Sequence, residues 1–302
     1  MSLRSNPGLK LANAFGVAGL KANPVRRSGL KANAFGVIVK HAEWQPTLTS
    51  YSGRHAELYD LFYADKPYEA EAEFVAACLR EYSVGPTARL LEIACGTGTH
   101  ALQLEQRGYK IVATDYSQDM LERAKQKASA ANSQVEFQLQ NMAQLEVNGA
   151  PFDAVYCLFD AIGYVATNEA LEKVFRGVHK HLRDDGLFIF EFWHAAAMLR
   201  HYDPVRVRRW ERDDSQILRI SETTLDYAKQ LSSVSYSIYE LNNDGTYSSL
   251  TETQVNRYFL LQEMALWLTA NSFAPVKWFA GFTNNETISD ETWHIVAVAR
   301  RT

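Results

Sequence analysis

The chain has 302 residues, of which 47% are hydrophobic and 12% aromatic, enough to bury the core of one large domain or two ordinary ones. No apolar run reaches the roughly 18 residues that a membrane-spanning helix needs, so we expect no membrane partner. The three cysteines are scattered without metal-ligand spacing, which argues against a disulfide framework or a metal site and favours a reducing, cytoplasmic environment.

The net charge of −4 conceals an uneven distribution along the chain. Residues 1–42 carry seven basic residues and no acid, which leaves 24 basic and 35 acidic residues, a net charge of −11, for the rest. An acidic body repels a phosphate backbone, so we expect no nucleic-acid partner.

The N-terminal segment is repetitive. Leu-Lys-Ala-Asn at 20–23 recurs at 30–33, and Asn-Ala-Phe-Gly-Val at 13–17 recurs at 33–37. These units are too short and glycine-rich to build a solenoid, and a basic, acid-free start is also typical of a transit peptide. We interpret residues 1–42 as a disordered leader or a misassigned start, and expect their deletion to leave fold and activity intact.

From about residue 55 the pattern becomes that of an α/β domain. Residues 55–82 predict one or two helices, divided at Pro67. Strands are then predicted at 90–94, 110–115, 135–139, 152–158 and 187–192, and helices at 99–106, 117–131 (N-cap Ser117) and 168–181. This alternation is typical of parallel βαβ units in a doubly wound sheet.

The pattern changes after residue 205. Strands at 217–225, 231–241 and 247–258 follow one another without helices, and Asn-Asn-Asp-Gly at 242–245 indicates a hairpin turn. A helix at 261–271 and strands at 276–282 and 292–299 then close the sheet. The antiparallel segment is expected to act as a lid over an acceptor or as a homodimer contact.

We therefore predict an α/β fold: a doubly wound, mostly parallel seven-stranded sheet with an antiparallel β insertion after the fifth strand. The predicted division is 1–42 (leader), 43–204 (cofactor-binding core), 205–260 (insertion) and 261–302 (completion of the core sheet).

The most informative segment is 88–98, where an apolar strand passes into Gly96-Thr97-Gly98 and a helix begins at Thr99. Glycine lets a ligand approach the backbone, and the helix N-terminus offers free N–H groups, so the turn suits an adenosine-containing cofactor. Gly96, Gly98 and Ala101 also fit the loose pattern of nicotinamide and flavin enzymes. A nicotinamide-dependent oxidoreductase and a non-catalytic binding module are therefore alternatives.

Neighbouring polar residues bear on this choice. Glu92, four residues before Gly96, would repel a dinucleotide pyrophosphate but attract the sulfonium and amino group of S-adenosylmethionine. Asp115 ends the next strand, where a carboxylate accepts ribose hydroxyls in either class. Asn141 and Met142, after the third strand, suit an adenine edge and face, although they also fit an ordinary loop and core.

Together these features resemble the class I S-adenosylmethionine-dependent methyltransferases. That family's motif is an acid followed by x-G-x-G-x-G, and it stands here at 92–98 with Ala94 replacing the first glycine, a mild change because it adds one methyl group. Asn141 stands where the family often has an acid. The resemblance implies a Rossmann-like methyltransferase fold, S-adenosyl-L-methionine as cofactor, and these cofactor-binding residues: Tyr59, Glu92, Ala94, Gly96, Gly98, Asp115, Tyr116, Asn141, Met142 and Leu158.

Residues 157–165 are similar to the segment after the fourth strand in the N-methyltransferases of nucleotide-linked amino sugars. Those enzymes also have a tyrosine-rich helix, here at 59–63, and a Glu-x-Trp run, here at 191–193. The resemblance implies N-methylation of a small-molecule amine such as an amino sugar. O-methylation and a glycine/sarcosine-type activity are the alternatives, because Phe159-Asp160 replaces a Phe-Ser pair.

The resemblance also implies roles for individual residues. The acceptor-binding residues would be Tyr63, Phe159, Tyr164, Trp193 and His194. The catalytic residues would be Asp160, Tyr164 and His194, with Asp160 or His194 taking a proton; no metal is expected. Plainer interpretations are a packed stripe of Tyr59 and Tyr63, a core Tyr164, a helix-capping Asp160, and a capping or surface His194.

Overall fold

The computed structural model describes residues 51–302, so the predicted leader at 1–42 lies outside the described residues. The α-helices are Gly53–Phe62 (α1), Tyr68–Tyr82 (α2), Thr99–Glu105 (α3), Gln118–Ala130 (α4), Asn168–His181 (α5), Ala195–His201 (α6) and Leu261–Ala270 (α7). The strands are Arg89–Ile93 (β1), Lys110–Asp115 (β2), Glu136–Leu139 (β3), Phe152–Cys157 (β4), Leu182–Trp193 (β5), Val205–Glu211 (β6), Ser215–Asp226 (β7), Leu231–Asn242 (β8), Tyr247–Arg257 (β9), Phe273–Ala280 (β10) and His294–Arg301 (β11). Among the helices of this part of the chain, none has the length and apolar character to cross a membrane.

Seven strands form the main sheet, in the order β10-β11-β5-β4-β1-β2-β3. Strands β1 to β5 pair in parallel, whereas β11 runs antiparallel to both β5 and β10. One face buries phenylalanines of β5 against α5, and the other packs α2 and α3 against β1 and β4. The predicted doubly wound sheet is confirmed. The crevice lies where strand order reverses beside β1, at the carboxyl ends of the strands.

The remaining four strands form a second, antiparallel sheet in the order β6-β7-β8-β9. The predicted turn at 242–245 joins β8 to β9, with Gly245 at a φ of 85°. Strand β6 was not predicted, because it is an arginine-rich edge strand that is exposed at nearly every position and lacks an alternating apolar face. The short helix α6 was not predicted either.

Helix α1 connects the second sheet to the crevice. Its residues Leu58 and Phe62 form a buried cluster with Ile217 of β7 and Ile238 of β8. A neighbouring face of the helix carries Ala56 and Tyr59, which form a second buried cluster with Met120 of α4. The predicted division at Pro67 is confirmed, since α1 ends before it and α2 begins directly after it.

Candidate active site

The turn between β1 and α3 has a left-handed backbone at three alternate residues: Ala94 (φ 58°), Gly96 (φ 57°) and Gly98 (φ 75°). A Cβ on Gly98 would lie 2.9 Å from the Phe137 ring, so the position admits no side chain. Alanine in this region is strained by about 1–2 kcal/mol. Replacing the family's glycine with Ala94 therefore strains the backbone. From the sequence we expected only the mild effect of one added methyl group.

Asp115 holds this turn from the end of β2. Its Oδ2 accepts the Gly96 N–H and its Oδ1 accepts the Ser117 N–H, each at 2.8 Å. Burial raises the pKa of Asp115 to about 6, against the lowering effect of these backbone donors. Each carboxylate oxygen keeps a second lone pair, so the side chain can also accept hydroxyl groups of a bound ribose.

A cavity of about 900 Å³ opens beside the turn, between the carboxyl ends of the main-sheet strands, α1 and the second sheet. It brings together most of the residues that the sequence singled out. Those that line it are Tyr59, Tyr63, Ala94, Gly96, Asp115, Tyr116, Met142, Leu158, Phe159, Asp160, Tyr164 and Trp193. A volume near the upper end of the roughly 300–1,000 Å³ typical of ligand pockets leaves space for two small molecules.

Glu92 lies behind the turn and not in this cavity. Its side chain is 2% exposed, accepts the Tyr156 hydroxyl at 3.1 Å, and borders a separate cavity of about 30 Å³ that Ala94 and Gly96 also line. Burial raises the pKa of Glu92 to about 8. The direct contact with a ligand cation that we expected of Glu92 is not found, because the side chain lies outside the main cavity and a carboxyl with this pKa is mostly protonated at pH 7.

Three further predicted residues, Gly98, Asn141 and His194, do not line the cavity. Asn141 is exposed, and its side-chain oxygen accepts the Ala143 N–H at 2.9 Å, so it caps a short 3₁₀ helix. His194 is buried, and its Nδ1 donates to the Thr292 carbonyl at 3.1 Å. The acceptor-facing role predicted for His194 is wrong for this geometry, since its ring is turned toward the loop before β11.

Asp160 is buried in the cavity wall and joins three elements. Its Oδ1 accepts the Trp193 N–H at 2.8 Å, and its Oδ2 accepts an N–H of Asn256, on β9, at 2.7 Å. Burial and then the nearby Glu191 raise the pKa of Asp160 well above its ordinary value. Asp160 makes no capping hydrogen bond to the 3₁₀ helix that follows, so the capping interpretation does not apply.

Aromatic side chains form the wall between the two ends of the cavity. The rings of Tyr59 and Tyr63 lie 4.8 Å apart, and Tyr63 meets Phe159 edge to face at 4.9 Å. The hydroxyl of Tyr164 makes a short hydrogen bond with that of Tyr51, and both contact Gln254. Burial raises the pKa of Tyr164 well above 10, so its phenol is a hydrogen-bond donor at neutral pH.

A carboxylate and a histidine next to Phe159 were missed as site residues. Glu191 is buried, and its Oε2 accepts the Phe159 N–H at 2.6 Å. His294 places Nδ1 2.7 Å from Glu191 Oε1. Burial raises the pKa of Glu191, but the contact with His294 outweighs it, so the pKa lies below its ordinary value. Only the pairing of β11 with β5, which sets His294 opposite Trp193, reveals this arrangement.

The second sheet contributes a basic wall that was also missed. Arg206, Arg208 and Arg209 of β6 and Arg219 of β7 line the cavity, and the lining residues between 205 and 257 include no carboxylate. Alternating arginines on β6 are the signal that the sequence offered. This wall favours an anionic ligand.

Arg219 is held most tightly within this wall and is only 6% exposed. Its guanidinium lies 4.7–5.9 Å from the centroids of four aromatic rings, those of Phe62, Tyr63, Trp210 and Tyr236. In the part of the chain that the structure describes, its Nε and Nη1 have no hydrogen-bond partner. A buried cation with two unused donors is an incomplete site that an anionic oxygen can satisfy.

Comparisons with known proteins show which proteins this chain is similar to. A model of the methyltransferase domain matches residues 90–186. The chain is 26% identical over 243 residues to a Geobacillus sp. (strain WCH70) protein named as a methyltransferase, a match that covers 80% of this chain and 96% of the relative. It is 34% identical over 145 residues to the dTDP-3-amino-3,6-dideoxy-alpha-D-glucopyranose N,N-dimethyltransferase of Streptomyces fradiae, covering 47% of this chain and 54% of that enzyme.

Among solved structures, the chain is similar to an S-adenosylmethionine-dependent methyltransferase from Clostridium acetobutylicum ATCC 824, with a TM-score of 0.70 and 22% identity, over 82% of this chain and 98% of that one. The segment that matches the domain model contains the glycine turn, Asp115 and Asp160.

Proposed function

We propose that this chain, a class I S-adenosylmethionine-dependent methyltransferase, methylates the amine nitrogen of an amino sugar that is linked to a phosphate group. The methyl donor supplies an activated methyl group on a sulfonium, and the protein's main task is to align this group with the acceptor nitrogen. Holding reacting atoms about 3–3.5 Å apart can lower the barrier by roughly 7–11 kcal/mol.

The donor end of the cavity fits S-adenosylmethionine. Asp115 is available to the ribose hydroxyls, and Met142 offers an apolar contact to the adenine ring. A Cβ added to Gly96 would point toward the hydroxyl and ring of Tyr59 at 3.8–4.0 Å, so the bare glycine keeps an open passage between the turn and α1. Leu158 and Phe159 would line the point of methyl transfer.

The basic wall is the observation that carries the acceptor proposal. Four arginines of the second sheet line the cavity, and the buried Arg219 has two side-chain nitrogens without a hydrogen-bond partner among residues 51–302. A nucleoside diphosphate sugar carries two phosphate charges, which such a wall would bind with charge-assisted hydrogen bonds. The Streptomyces fradiae relative is named for a dTDP-amino sugar, which supports the same acceptor class.

The Glu191 carboxylate beside Phe159 favours nitrogen over oxygen as the methylated atom. Glu191 carries negative charge at the transfer point, where it would attract an ammonium group but offer nothing to a neutral hydroxyl. A free amino acid such as glycine is too short to fill the cavity and cannot contact all four arginines. The methyltransferase matches likewise disfavour the nicotinamide alternative.

The test is methyl transfer to defined acceptors. We expect the purified protein to transfer one or two methyl groups from S-adenosylmethionine to dTDP-3-amino-3,6-dideoxyglucose, as seen by mass spectrometry. The matched dTDP-6-deoxyglucose, with a hydroxyl in place of the amine, and free glycine should remain unmodified. Methylation of the hydroxyl sugar or of glycine, with none of the amine sugar, would reject the proposal.

A variant at Arg219 tests whether the basic wall binds the acceptor. The substitution Arg219→Leu should raise KM for the amino sugar about 10- to 100-fold, the effect of one lost hydrogen bond to a charged group, while S-adenosylhomocysteine binds as before. Arg212→Leu is the control, because Arg212 lies at the end of β6 and pairs with Glu240 outside the cavity. Equal changes in the two variants would show that the basic wall does not bind the acceptor.

A further inference from the structure

An amine acceptor meets the enzyme as an ammonium ion, which has no lone pair to attack a methyl group. One proton must therefore leave before transfer, and the cavity wall must either accept it or pass it to water. The residues that line the transfer point decide which group can do so.

The two predicted acceptors of this proton, Asp160 and His194, are poorly placed, and Tyr164 is unsuited as well. Both oxygens of Asp160 already accept N–H groups, from Trp193 and Asn256, and burial favours the protonated form of its carboxyl. Tyr164 retains its phenolic proton at neutral pH, because burial raises its pKa well above 10. His194 faces away from the cavity.

His294 has the required position. It begins β11 opposite Trp193, lines the cavity, and its side chain is 39% exposed, so an acceptor can reach it. Its backbone oxygen accepts the Gly281 N–H at 2.8 Å, which anchors the start of the strand. Histidine is also the side chain whose charge ordinarily changes between pH 5 and 8.

Glu191 sets the state of the ring. Its Oε1 lies 2.7 Å from Nδ1 of His294, and its Oε2 is occupied by the Phe159 N–H. An ionised carboxylate next to Nδ1 keeps the proton of the neutral ring on that nitrogen. Within residues 51–302, Nδ1 makes no hydrogen bond of good geometry, but the charged carboxylate lies only 2.7 Å from it. With the proton on Nδ1, Nε2 carries the lone pair.

Other charged groups surround this pair. Lys66, between α1 and α2, lies over the Phe159 ring at 4.4 Å and pairs with Glu71 of α2, which also contacts His100 at 2.7 Å. Asp160 approaches Glu191 from the segment after β4. Because Lys66 is already paired with Glu71, Glu191 remains available to His294.

We propose that His294, with Nδ1 held against Glu191, is the catalytic residue that accepts the acceptor's ammonium proton at Nε2; this rests on the proposed amine methylation. The N–H bond of the ammonium breaks, its electron pair stays on nitrogen, and the proton forms a bond to Nε2. The freed lone pair then forms the N–C bond while the S–C electron pair leaves on sulfur. The imidazolium returns its proton to water after the methylated ammonium departs.

His294→Gln tests this step, because glutamine can accept a hydrogen bond but cannot take up a proton at neutral pH. With dTDP-3-amino-3,6-dideoxyglucose at pH 7, we expect kcat to fall about 10²-fold with little change in KM. The loss should shrink toward pH 9.5, where more of the amine arrives already neutral. His201→Gln is the control: His201 is 38% exposed, also contacts a glutamate (Glu291), and lies outside the cavity.

A binding measurement gives a readout without turnover. Calorimetry in buffers of different ionisation heats counts the protons exchanged when the amino sugar binds to the protein loaded with S-adenosylhomocysteine. We expect the wild type to exchange a proton that His294→Gln does not, because the variant lacks the proton-accepting ring. The sugar without an amine, dTDP-6-deoxyglucose, should cause no exchange in either protein.

The outcomes separate the two proposals. If the wild type methylates no amino sugar, the proposed function fails. If it does so and His294→Gln keeps full activity, loses activity equally at every pH, or exchanges the same proton as the wild type, the role of His294 is rejected. A loss in His201→Gln equal to that in His294→Gln would also reject it.

Discussion

Glu92 shows how one buried carboxylate ties stability to pH. Burial raises its pKa to about 8 from an ordinary value near 4.5, so the folded chain holds a proton that the unfolded chain releases between these limits. The contribution of Glu92 to the free energy of unfolding is therefore fully present below pH 4.5 and is lost as the pH rises toward 8.

Glu92→Gln should remove this dependence. Relative to the wild type, we expect the variant to gain about 3–4 kcal/mol in unfolding free energy between pH 5 and pH 8, measured by urea unfolding without ligand. Glu136→Gln, at an exposed position on β3, is the control and should show no such drift. A Glu92→Gln difference that is the same at both pH values would contradict the burial argument.

Ala94 carries conformational strain at a single residue. Its left-handed backbone, with a φ of 58°, suits glycine, so Ala94→Gly should raise the unfolding free energy by about 0.5–1 kcal/mol. The same substitution at Ala77, a half-buried residue in the middle of α2, should lower it by about 0.5–1 kcal/mol, because helix interiors disfavour glycine. Urea unfolding of both variants measures the contrast, and a loss of stability in both would show that Ala94 is not strained.

At the scale of elements, the segment after β4 links the two sheets. Phe159 and Asp160 are consecutive left-handed residues, and the Asp160 carboxylate binds the ends of β5 and β9. Gly163 packs under it, where a Cβ would lie 2.8 Å from Asp160 Oδ2. This junction aligns the donor end of the cavity with the second sheet.

Asp160→Ala should therefore destabilise the protein by about 2–4 kcal/mol, because it leaves two buried N–H donors without acceptors. Asp160→Asn keeps one acceptor oxygen and a residue type that tolerates the left-handed region, so we expect less than half of that loss. Equilibrium unfolding in urea compares the two. Equal losses would mean that the carboxylate's hydrogen bonds do not hold the junction.

Prediction of elements from the sequence succeeded where local patterns are strong. The run into Gly96 predicts β1, the turn and the start of α3, because apolar periodicity and glycine act within a few residues. Strand β6 failed because its arginines leave no apolar face, and β5 was predicted too short because its start at 182–186 reads as a polar turn. Exposed edges and charged strand ends are stabilised by partners distant in sequence.

For the molecule as a whole, the cavity draws its walls from the main sheet, α1 and the second sheet, so a bound ligand should stabilise all of them together. S-adenosylhomocysteine at 100 times its Kd should add about 2.7 kcal/mol to the unfolding free energy and raise Tm in a single transition. NADH at the same concentration is the control. A rise in Tm with NADH alone would contradict the assignment of the glycine turn to S-adenosylmethionine.

The sequence by itself determined the class of fold and the cofactor, because a strand, a glycine turn and an acid at the end of the next strand act over about 25 residues of continuous chain. It also singled out Phe159, Tyr164 and Trp193, which follow strands whose ends converge. Only the tertiary structure distinguished His294 from His194, and only it brought the arginines of β6 and β7 to the acceptor end. These residues lie between about 110 and 200 positions after the turn. The register of the β-sheets, which local sequence does not encode, decides which way they face.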